Sequence, residues 1–402
     1  MGSVAVLSMH TSPLVQPGTG DSGGMNVYVR ELGGSLARAG VPVSVFVRRY
    51  AEDLPDVVQV EPGLEVVHVD AGPLGATKED LVDHVEEFAD AVGRRIAGSD
   101  VEVLHANYWL SAAAAHRIKH DQSIPMVATF HTLARVKSAI GDGDTPLREG
   151  IEAQTIGCCD AICASNPVEA QELVDLYGAD AERIELVPPG VDHAFFSPGD
   201  QRGARKAVGL DDRPTLLFVG RIQPLKGLTV AVRTLEALRH SDARLVVLGG
   251  PSGPEGLAEL ARSAELLEDL GLADRVTMVD PQPHHALSTW YRSADVVLVP
   301  SRSESFGLVA LEAAACGVPV VASAVGGLRN LVLDGVTGYL VEHRDPIEMA
   351  ARVDDLLADR DRAHLMGVRA ADNARNYSWA GTAGRLRRLY ADLAKGALVE
   401  CA

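Results

Sequence analysis

The sequence predicts an α/β protein made of two doubly wound parallel-sheet domains, and three observations carry that reading. Short β-branched apolar runs alternate with longer amphipathic stretches along the chain. Runs that are apolar throughout suit strands buried on both faces, as in parallel sheets clad by helices. The alternation breaks near residue 190, at "VPPGVDHAFFSPGD", where two Pro-Gly clusters exclude a helix or a central strand. A chain of 402 residues also exceeds one compact core and suits two ordinary domains. The expected domains are residues 1–190 and 191–377, with a helix over about 378–402 packing back on the first.

Taken in order, "SVAVLSM" is the first strand, and a loop with glycines at 18, 20, 23 and 24 leads into a helix near Met25. "VPVSVFV", "LEVVHV", "VEVLHA", "PMVATF" and "DAICAS" complete the first series. Past the boundary come "TLLFVG", a helix from Leu228, "ARLVVLGG", a helix after Glu255, "DRVTMVD", "ADVVLVPS", a helix from about Phe306, and "VPVVAS". The tail "SWAGTAGRLRRLYADLAKG" from Ser378 is helical in pattern. Ligands are expected at the carboxyl ends of such strands and in a cleft between the domains.

Apolar residues at 47% and charged ones at 23% describe a soluble globular protein, without an apolar run long enough to span a membrane. "MGSVAVLSMH" has no basic segment ahead of its apolar residues, so it reads as a strand rather than a secretion signal, and the cytoplasm is expected. A net charge of −18 argues against nucleic-acid or anionic-membrane partners; an anionic ligand must be met by a few local cations. The cysteines, Cys158, Cys159, Cys163, Cys316 and Cys401, show neither metal-ligand spacing nor a disulfide framework and read as small core residues.

The glycine loop precedes a helix whose free N–H groups and positive dipole end suit an anion. In "FVGRIQPLKG", Arg221 and Lys226 follow the second domain's first strand, where they can grip a diphosphate. "LGGPSGPEG" from Leu248 supplies a second glycine loop beside them. In "SRSESFGLVALEAAACGVPVVAS", Glu304 lies in a strand-to-helix turn, Phe306-Gly307-Leu308 opens the helix and Glu312 follows eight positions after Glu304. That spacing gives one carboxylate to sugar hydroxyls and another to a ribose diol. In the first domain His131 ends one strand, and Asn107, Tyr108 and Trp109 end another; His10 and His105 read as structural. The sequence shows no Ser-His-Asp set, Walker loop or metal-ligand cluster.

In this combination the chain resembles the retaining glycosyltransferases of family 4, which have the GT-B fold of two Rossmann-like domains facing a cleft. The resemblance covers nearly the full length. "SMHTSPLVQPGTGDSGGMNVYV", "FHTLARVKS", "GRIQPLKG", "GGPSGPEG", "VDPQP" and "ESFGLVALEA" are similar to a branch that moves N-acetylglucosamine from UDP to an inositol phosphate in mycothiol biosynthesis. Sucrose-phosphate synthases share part of the pattern. The resemblance implies that Arg221 and Lys226 hold the donor diphosphate and Glu312 the ribose. Glu304 and the Phe306-Gly307-Leu308 backbone would hold the transferred sugar. The Gly23-Gly24 loop would approach the diphosphate from the other domain, and the backbone near Gln282 would read uracil. His131 and Glu304 would be the catalytic residues, with Asn26, Lys78, Tyr108, Thr132 and Arg148 binding the acceptor. It also implies a UDP-sugar as donor substrate and no tightly bound cofactor. Mg2+ is compatible, although no ligand cluster asks for it, and a homodimer stays open.

The chain departs from the family pattern at two points. His-x-His-Tyr-Trp appears as His105-Ala106-Asn107-Tyr108-Trp109. After Asp144-Thr145-Pro146, an expected arginine pair is reduced to Arg148 with Glu149 beside it, and a carboxylate next to a phosphate is repelled. Two other classes compete with a transferase. A sugar-nucleotide epimerase needs no acceptor group such as Lys78, Tyr108 and Thr132. A dinucleotide oxidoreductase needs Gly-x-Gly-x-x-Gly after the first strand, which is absent.

Overall fold

The first β-branched run, β1 (Ser3–Leu7), sits at the middle of a sheet completed by β2 (Val43–Arg48), β3 (Val57–Glu61), β4 (Leu64–Val69), β5 (Val101–Asn107), β6 (Met126–Thr129), β7 (Ala161–Ala164) and β8 (Ile184–Leu186). Their order is β3-β4-β2-β1-β5-β6-β7-β8. β1 pairs in parallel with β2 (Leu7 opposite Phe46) and with β5 (Leu7 opposite Ala106). A second sheet holds β9 (Thr215–Val219), β10 (Arg244–Leu248), β11 (Val276–Val279), β12 (Val296–Val299), β13 (Val320–Ser323) and β14 (Gly338–Val341), ordered β11-β10-β9-β12-β13-β14 and parallel throughout. The computed structural model describes residues 2–401 apart from 21, 140, 142 and 144.

The chain divides into two compact units, one of Met1–Val15, Met25–Pro188 and Trp379–Ala402, the other of Gln16–Gly24 and Pro189–Ser378. The glycine loop therefore clusters with the second unit, although β1 and the helix it joins belong to the first. One strand departs from the parallel expectation: β3 runs antiparallel to β4 at the sheet edge. Pro62-Gly63 leaves too little chain for a crossover, so only a hairpin is possible.

Apolar periodicity explains the packing. β10 is buried along its whole length because helices cover both faces, whereas edge strand β11 leaves Met278 46% exposed. Each buried Leu or Val here contributes about 1.5–3 kcal/mol relative to solvent, so an aspartate at Val246 would break this unit. Helix Gly24–Arg38 buries Val27, Tyr28, Leu32 and Leu36 on one stripe. Helix Trp379–Leu393 buries Trp379, Ala383, Leu386 and Tyr390, and donates from Thr382 Oγ1 to the Pro188 carbonyl at 2.7 Å. Among the described residues no helix is long and apolar enough to cross a membrane.

The cysteine expectation needs correction. Cys159, Cys163 and Cys316 are buried and free, but Cys158 and Cys401 are joined as a disulfide across 243 residues of sequence. His116 and His120 close on the same point, so four potential metal-ligand atoms lie within 4.8 Å of one another, against the sequence reading of no such cluster. Local spacing could not disclose this group, because the tail supplies one member.

Candidate active site

In a doubly wound sheet, ligands bind where the strand order reverses, at the strands' carboxyl ends. In the second unit that point lies between β9 and β12. β9 leads into Arg221 and Lys226, and β12 leads into the turn that holds Glu304. The structure brings the last two together: Lys226 Nζ donates to Glu304 Oε2 at 2.8 Å, with side chains 25% and 18% exposed. Arg221 Nη1 donates to Ser252 Oγ at 3.3 Å, on the loop after β10.

The Glu304 turn is shaped by a glycine pair that sequence reading passed over. The Gly327 N–H donates to the Glu304 carbonyl at 2.9 Å. A Cβ on Gly326, at φ +43°, would collide with that same carbonyl oxygen, and one on Gly327 with the Ser305 carbonyl. Gly-Gly two residues after strand β13 was the available signal, of the same kind as Gly23-Gly24 in the loop after β1. Phe306 is buried, and Gly307 and Leu308 open helix Leu308–Ala315, whose first N–H groups have no acceptor within the helix.

Glu312, one turn into that helix, is 5% exposed. Its Oε1 meets His284 Nε2 at 2.6 Å and its Oε2 accepts from Tyr291 Oη at 2.8 Å. Burial and the adjacent carboxylate drive the Tyr291 phenol well above its usual range, so it remains a donor. Each carboxylate oxygen keeps further acceptor capacity. His284 and Tyr291, far from Glu312 in sequence, carried no motif.

The glycine loop lies among these residues of its own unit. Gln16 Nε2 donates to the Pro281 carbonyl at 2.8 Å, and a Cβ on Gly23 would stand 3.1 Å from Arg221 Nε. Gly24 faces Leu308, at 3.4 Å from such a Cβ. A side chain at residue 23 would press on the guanidinium, so the glycine keeps Arg221 in place. Gln282 turns its amide back on the Asp280 carbonyl at 2.9 Å, leaving the backbone of this loop as its remaining recognition element.

In the first unit the strand order reverses between β1 and β5. β5 ends in Asn107, and Tyr108, at φ +77°, starts helix Trp109–Gln122. His131, at φ +62°, has Nε2 2.9 Å from Asn107 Oδ1, to which it donates, and its ring packs edge-on against Tyr28 with centroids 4.9 Å apart. A left-handed backbone at a non-glycine residue stores strain, a feature concentrated at functional sites. Burial pushes this imidazole down to about 3, so it is neutral at pH 7. His105, by contrast, is wholly buried between Tyr390 Oη at 2.5 Å and Thr129 Oγ1 at 2.8 Å, a structural position.

Lys78 Nζ lies 4.9 Å from the Tyr108 ring centroid and Arg148 Cζ 4.8 Å, so two cations flank one phenol. Arg148 Nη2 donates to the Thr132 carbonyl at 2.8 Å and to Thr132 Oγ1 at 3.1 Å. Lys78, Tyr108, Thr132 and Arg148 thus form one group. Asn26, 2% exposed, instead donates to Thr11 Oγ1 at 2.7 Å and the Ser12 carbonyl at 2.6 Å. Glu149 accepts from Ser138 Oγ at 2.8 Å and lies 3.8 Å from Arg135 Nε. The carboxylate that matters to Arg148 is Glu152, fully buried, at 2.7 Å from its Nε. Sequence reading missed Glu152, although i, i+4 spacing on a helix was the signal. Of the nearby segment, Asp144 lies outside the described residues.

Residues 22–195 match the model of Glycosyltransferase Family 4, and residues 200–373 that of Glycosyl transferases group 1. The D-inositol 3-phosphate glycosyltransferase of Xylanimonas cellulosilytica is 46% identical over 408 residues, which cover 98% of this chain and 97% of that protein. The chain belongs to glycosyltransferase family 4. Sucrose-phosphate synthase from Thermosynechococcus elongatus matches this transferase with a TM-score of 0.92 at 31% identity, over 98% of this chain and 99% of that one. Anabaena HepE, solved with UDP and glucose, gives a TM-score of 0.80 at 16% identity, over 97% and 100% of the two chains, a likeness of fold alone. The two parallel-sheet domains of the transferase are those of the GT-B fold.

Proposed function

We propose that this transferase moves N-acetylglucosamine from a UDP-sugar to an inositol phosphate with retention of anomeric configuration. The observation that carries the reading is the pairing of Lys226 with Glu304 at the reversal point of the second sheet, beside Arg221. A cation and a carboxylate held together suit a ligand whose diphosphate needs one and whose sugar hydroxyls need the other. Residues 191–377 then form the donor-binding domain, with Gly23, Gly24, Arg221 and Lys226 at the diphosphate, Glu304 and the 306–308 backbone at the sugar, Glu312 at the ribose and the backbone near Gln282 at uracil.

Residues 1–190 form the acceptor-binding domain, with Lys78, Tyr108, Thr132 and Arg148 around a phosphorylated polyol and Asn26 ordering the segment at Thr11 and Ser12. The relative named for D-inositol 3-phosphate supports inositol phosphate as that acceptor. In the reaction the bond from the anomeric carbon to the donor phosphate breaks and one to the acceptor oxygen forms on the same face. The acceptor's proton passes to the departing phosphate oxygen. The protein's part is positioning and charge stabilisation, with neutral His131 against the sugar.

The test is incubation with a panel of UDP- and GDP-sugars, with inositol phosphate, free inositol or fructose 6-phosphate, followed by nucleotide release and product NMR. UDP release that depends on inositol phosphate, with a retained anomeric centre, is expected. An inverted centre overturns the mechanism, and turnover with another acceptor alone overturns the acceptor.

A further inference from the structure

Helix Trp109–Gln122 carries His116 and His120 one turn apart, so both imidazoles leave the same face. Helix Pro146–Cys158 ends at Cys158, and the tail beyond helix Trp379–Leu393 brings Cys401 to it. His120 Nε2 lies 3.2 Å from His116 Nε2 and 3.1 Å from Cys401 Sγ, and that sulfur is 3.5 Å from His116 Nε2. All four side chains belong to the first unit. His116 and His120 stand two and three turns along their helix from Tyr108, on the order of 12–18 Å from it, which separates the cluster from the candidate active site.

A disulfide accounts for two of these side chains and for neither histidine. A tetrahedral cation would engage all four once the Cys158–Cys401 bond is opened, since their ligand atoms lie within 4.8 Å of one another. Zinc binds nitrogen at about 2.0–2.1 Å and sulfur at about 2.3 Å, which sets tetrahedral edges of about 3.3 Å between nitrogens and about 3.6 Å between nitrogen and sulfur. The nitrogen pair at 3.2 Å and the nitrogen–sulfur pairs at 3.1 and 3.5 Å approach those edges. Two histidines spaced i, i+4 on a helix are a recurrent half-site for this metal. The donor set, two sulfurs and two imidazoles, selects zinc over hard cations such as Mg2+.

We propose that, with Cys158 and Cys401 reduced, these residues and His116 and His120 bind one zinc ion. Binding releases the two thiol protons to solvent and transfers no electron; two thiolates and one divalent cation leave a neutral centre. Lys119, on the same turn, is already neutralised by Asp160 at 2.9 Å and donates to the Cys158 carbonyl at 2.7 Å, so it supports the backbone of the site without repelling the ion. Asp160 Oδ1 also accepts from the Val399 N–H at 2.7 Å, which steers the tail toward the metal. The site is structural: it clips the segment after helix Trp379–Leu393 to the first unit. Its position near the surface, with His120 exposed, gives the ion an entry path.

The test uses the full chain, treated with a phosphine reductant in water, which supplies two electrons to the disulfide and becomes its oxide. After zinc is added and excess is removed by gel filtration, mass spectrometry of metals counts the ion. Cobalt titration then reports thiolate ligation and tetrahedral geometry through its charge-transfer and d–d bands. One equivalent of zinc and a thiolate–cobalt band are expected, with affinity falling on the order of 100-fold or more in both Cys401→Ser and His120→Ala. Both substitutions lie outside the core, and Cys316→Ser serves as control with full binding. Failure of the reduced protein to take up metal overturns the proposal, as does uptake unchanged by the two variants. These readouts do not involve sugar transfer, so they stand apart from the fate of the proposed reaction.

Discussion

Lys226→Ala and Glu304→Gln should move UDP affinity in opposite directions while both depress transfer. The two side chains pair at 2.8 Å and are about a quarter and a fifth exposed, at 25% and 18%. A pair with that access to water contributes about 0–1 kcal/mol to the fold, so neither substitution should unfold the protein. On the proposed reading, removing Lys226 deletes a charge-assisted contact to the diphosphate of about 1.5–3 kcal/mol, which at ~1.36 kcal/mol per decade should weaken UDP about 12- to 160-fold. Removing the Glu304 charge does the reverse. A carboxylate about 6 Å from a phosphate charge at an effective dielectric near 20 costs roughly 3 kcal/mol before screening. With water and salt reducing this to about 1 kcal/mol, Glu304→Gln should bind UDP up to about fivefold more tightly. It should nonetheless transfer sugar at least about tenfold more slowly, having lost a charged acceptor for the hydroxyls. Calorimetric titration with UDP, beside steady-state kinetics with the full donor, reads both effects. Equal weakening of UDP by both variants, or wild-type affinity in both, would refute the assignment of diphosphate to one and sugar to the other.

Four further outcomes are expected. Lys78→Ala should raise the KM for inositol phosphate about tenfold or more and leave free inositol unchanged, since a charge-assisted contact contributes about 1.5–3 kcal/mol; a wild-type ratio of kcat/KM near one for the two acceptors would contradict the phosphate site. Arg148→Ala should act on the fold first, because it strands the buried Glu152 at a cost of about 3–5 kcal/mol, and adding Glu152→Gln, which removes the charge but keeps an acceptor for the Ala134 N–H and Tyr177 Oη, should recover part of the lost Tm; a single variant melting as wild type would show the pair to be dispensable. Gly326→Ala should displace the Glu304 turn and lower both Tm and kcat, and wild-type values for both would mean that the turn tolerates a Cβ. His105, pushed down to about 3 by burial, is neutral in the fold and protonates near pH 6.5 when unfolded, so its contribution is complete above about pH 6.5 and is lost as pH falls toward 3. Between pH 7 and 5, urea denaturation of wild type should lose on the order of 2 kcal/mol more than that of His105→Gln, and parallel losses would contradict the assignment.

What could be read from the sequence was whatever is encoded locally. β12 throughout, and β10 after Arg244, are apolar because both faces are covered, and a continuous run needs no partner to be recognised. Arg221, Lys226 and Glu304 could be singled out because each lies in the segment between the end of such a strand and the next α-helix. What stayed hidden depends on pairings that only packing decides. β3 has an ordinary strand composition, and its direction follows from a two-residue connection. Glu312 stood out as a motif, but the His284 and Tyr291 that hold it come from the segment between β11 and β12. Arg148 was noticed beside Glu149, whereas the helix turns it to Glu152. Cys158 and Cys401, 243 positions apart, meet only because the tail returns.

That return sets an order of events during synthesis. Tyr390, which caps the buried ring of His105, leaves the ribosome 285 residues after it. Until then the first sheet carries an imidazole with one partner missing and an apolar stripe uncovered where Trp379, Leu386 and Tyr390 will lie. The second unit, Gln16–Gly24 with Pro189–Ser378, includes no residue after Ser378. The half translated first is therefore the half that matures last. Until residues 379–393 have been made, that stripe is exposed apolar surface of the kind through which incomplete chains associate, so truncation before Trp379 should leave the first unit prone to aggregation.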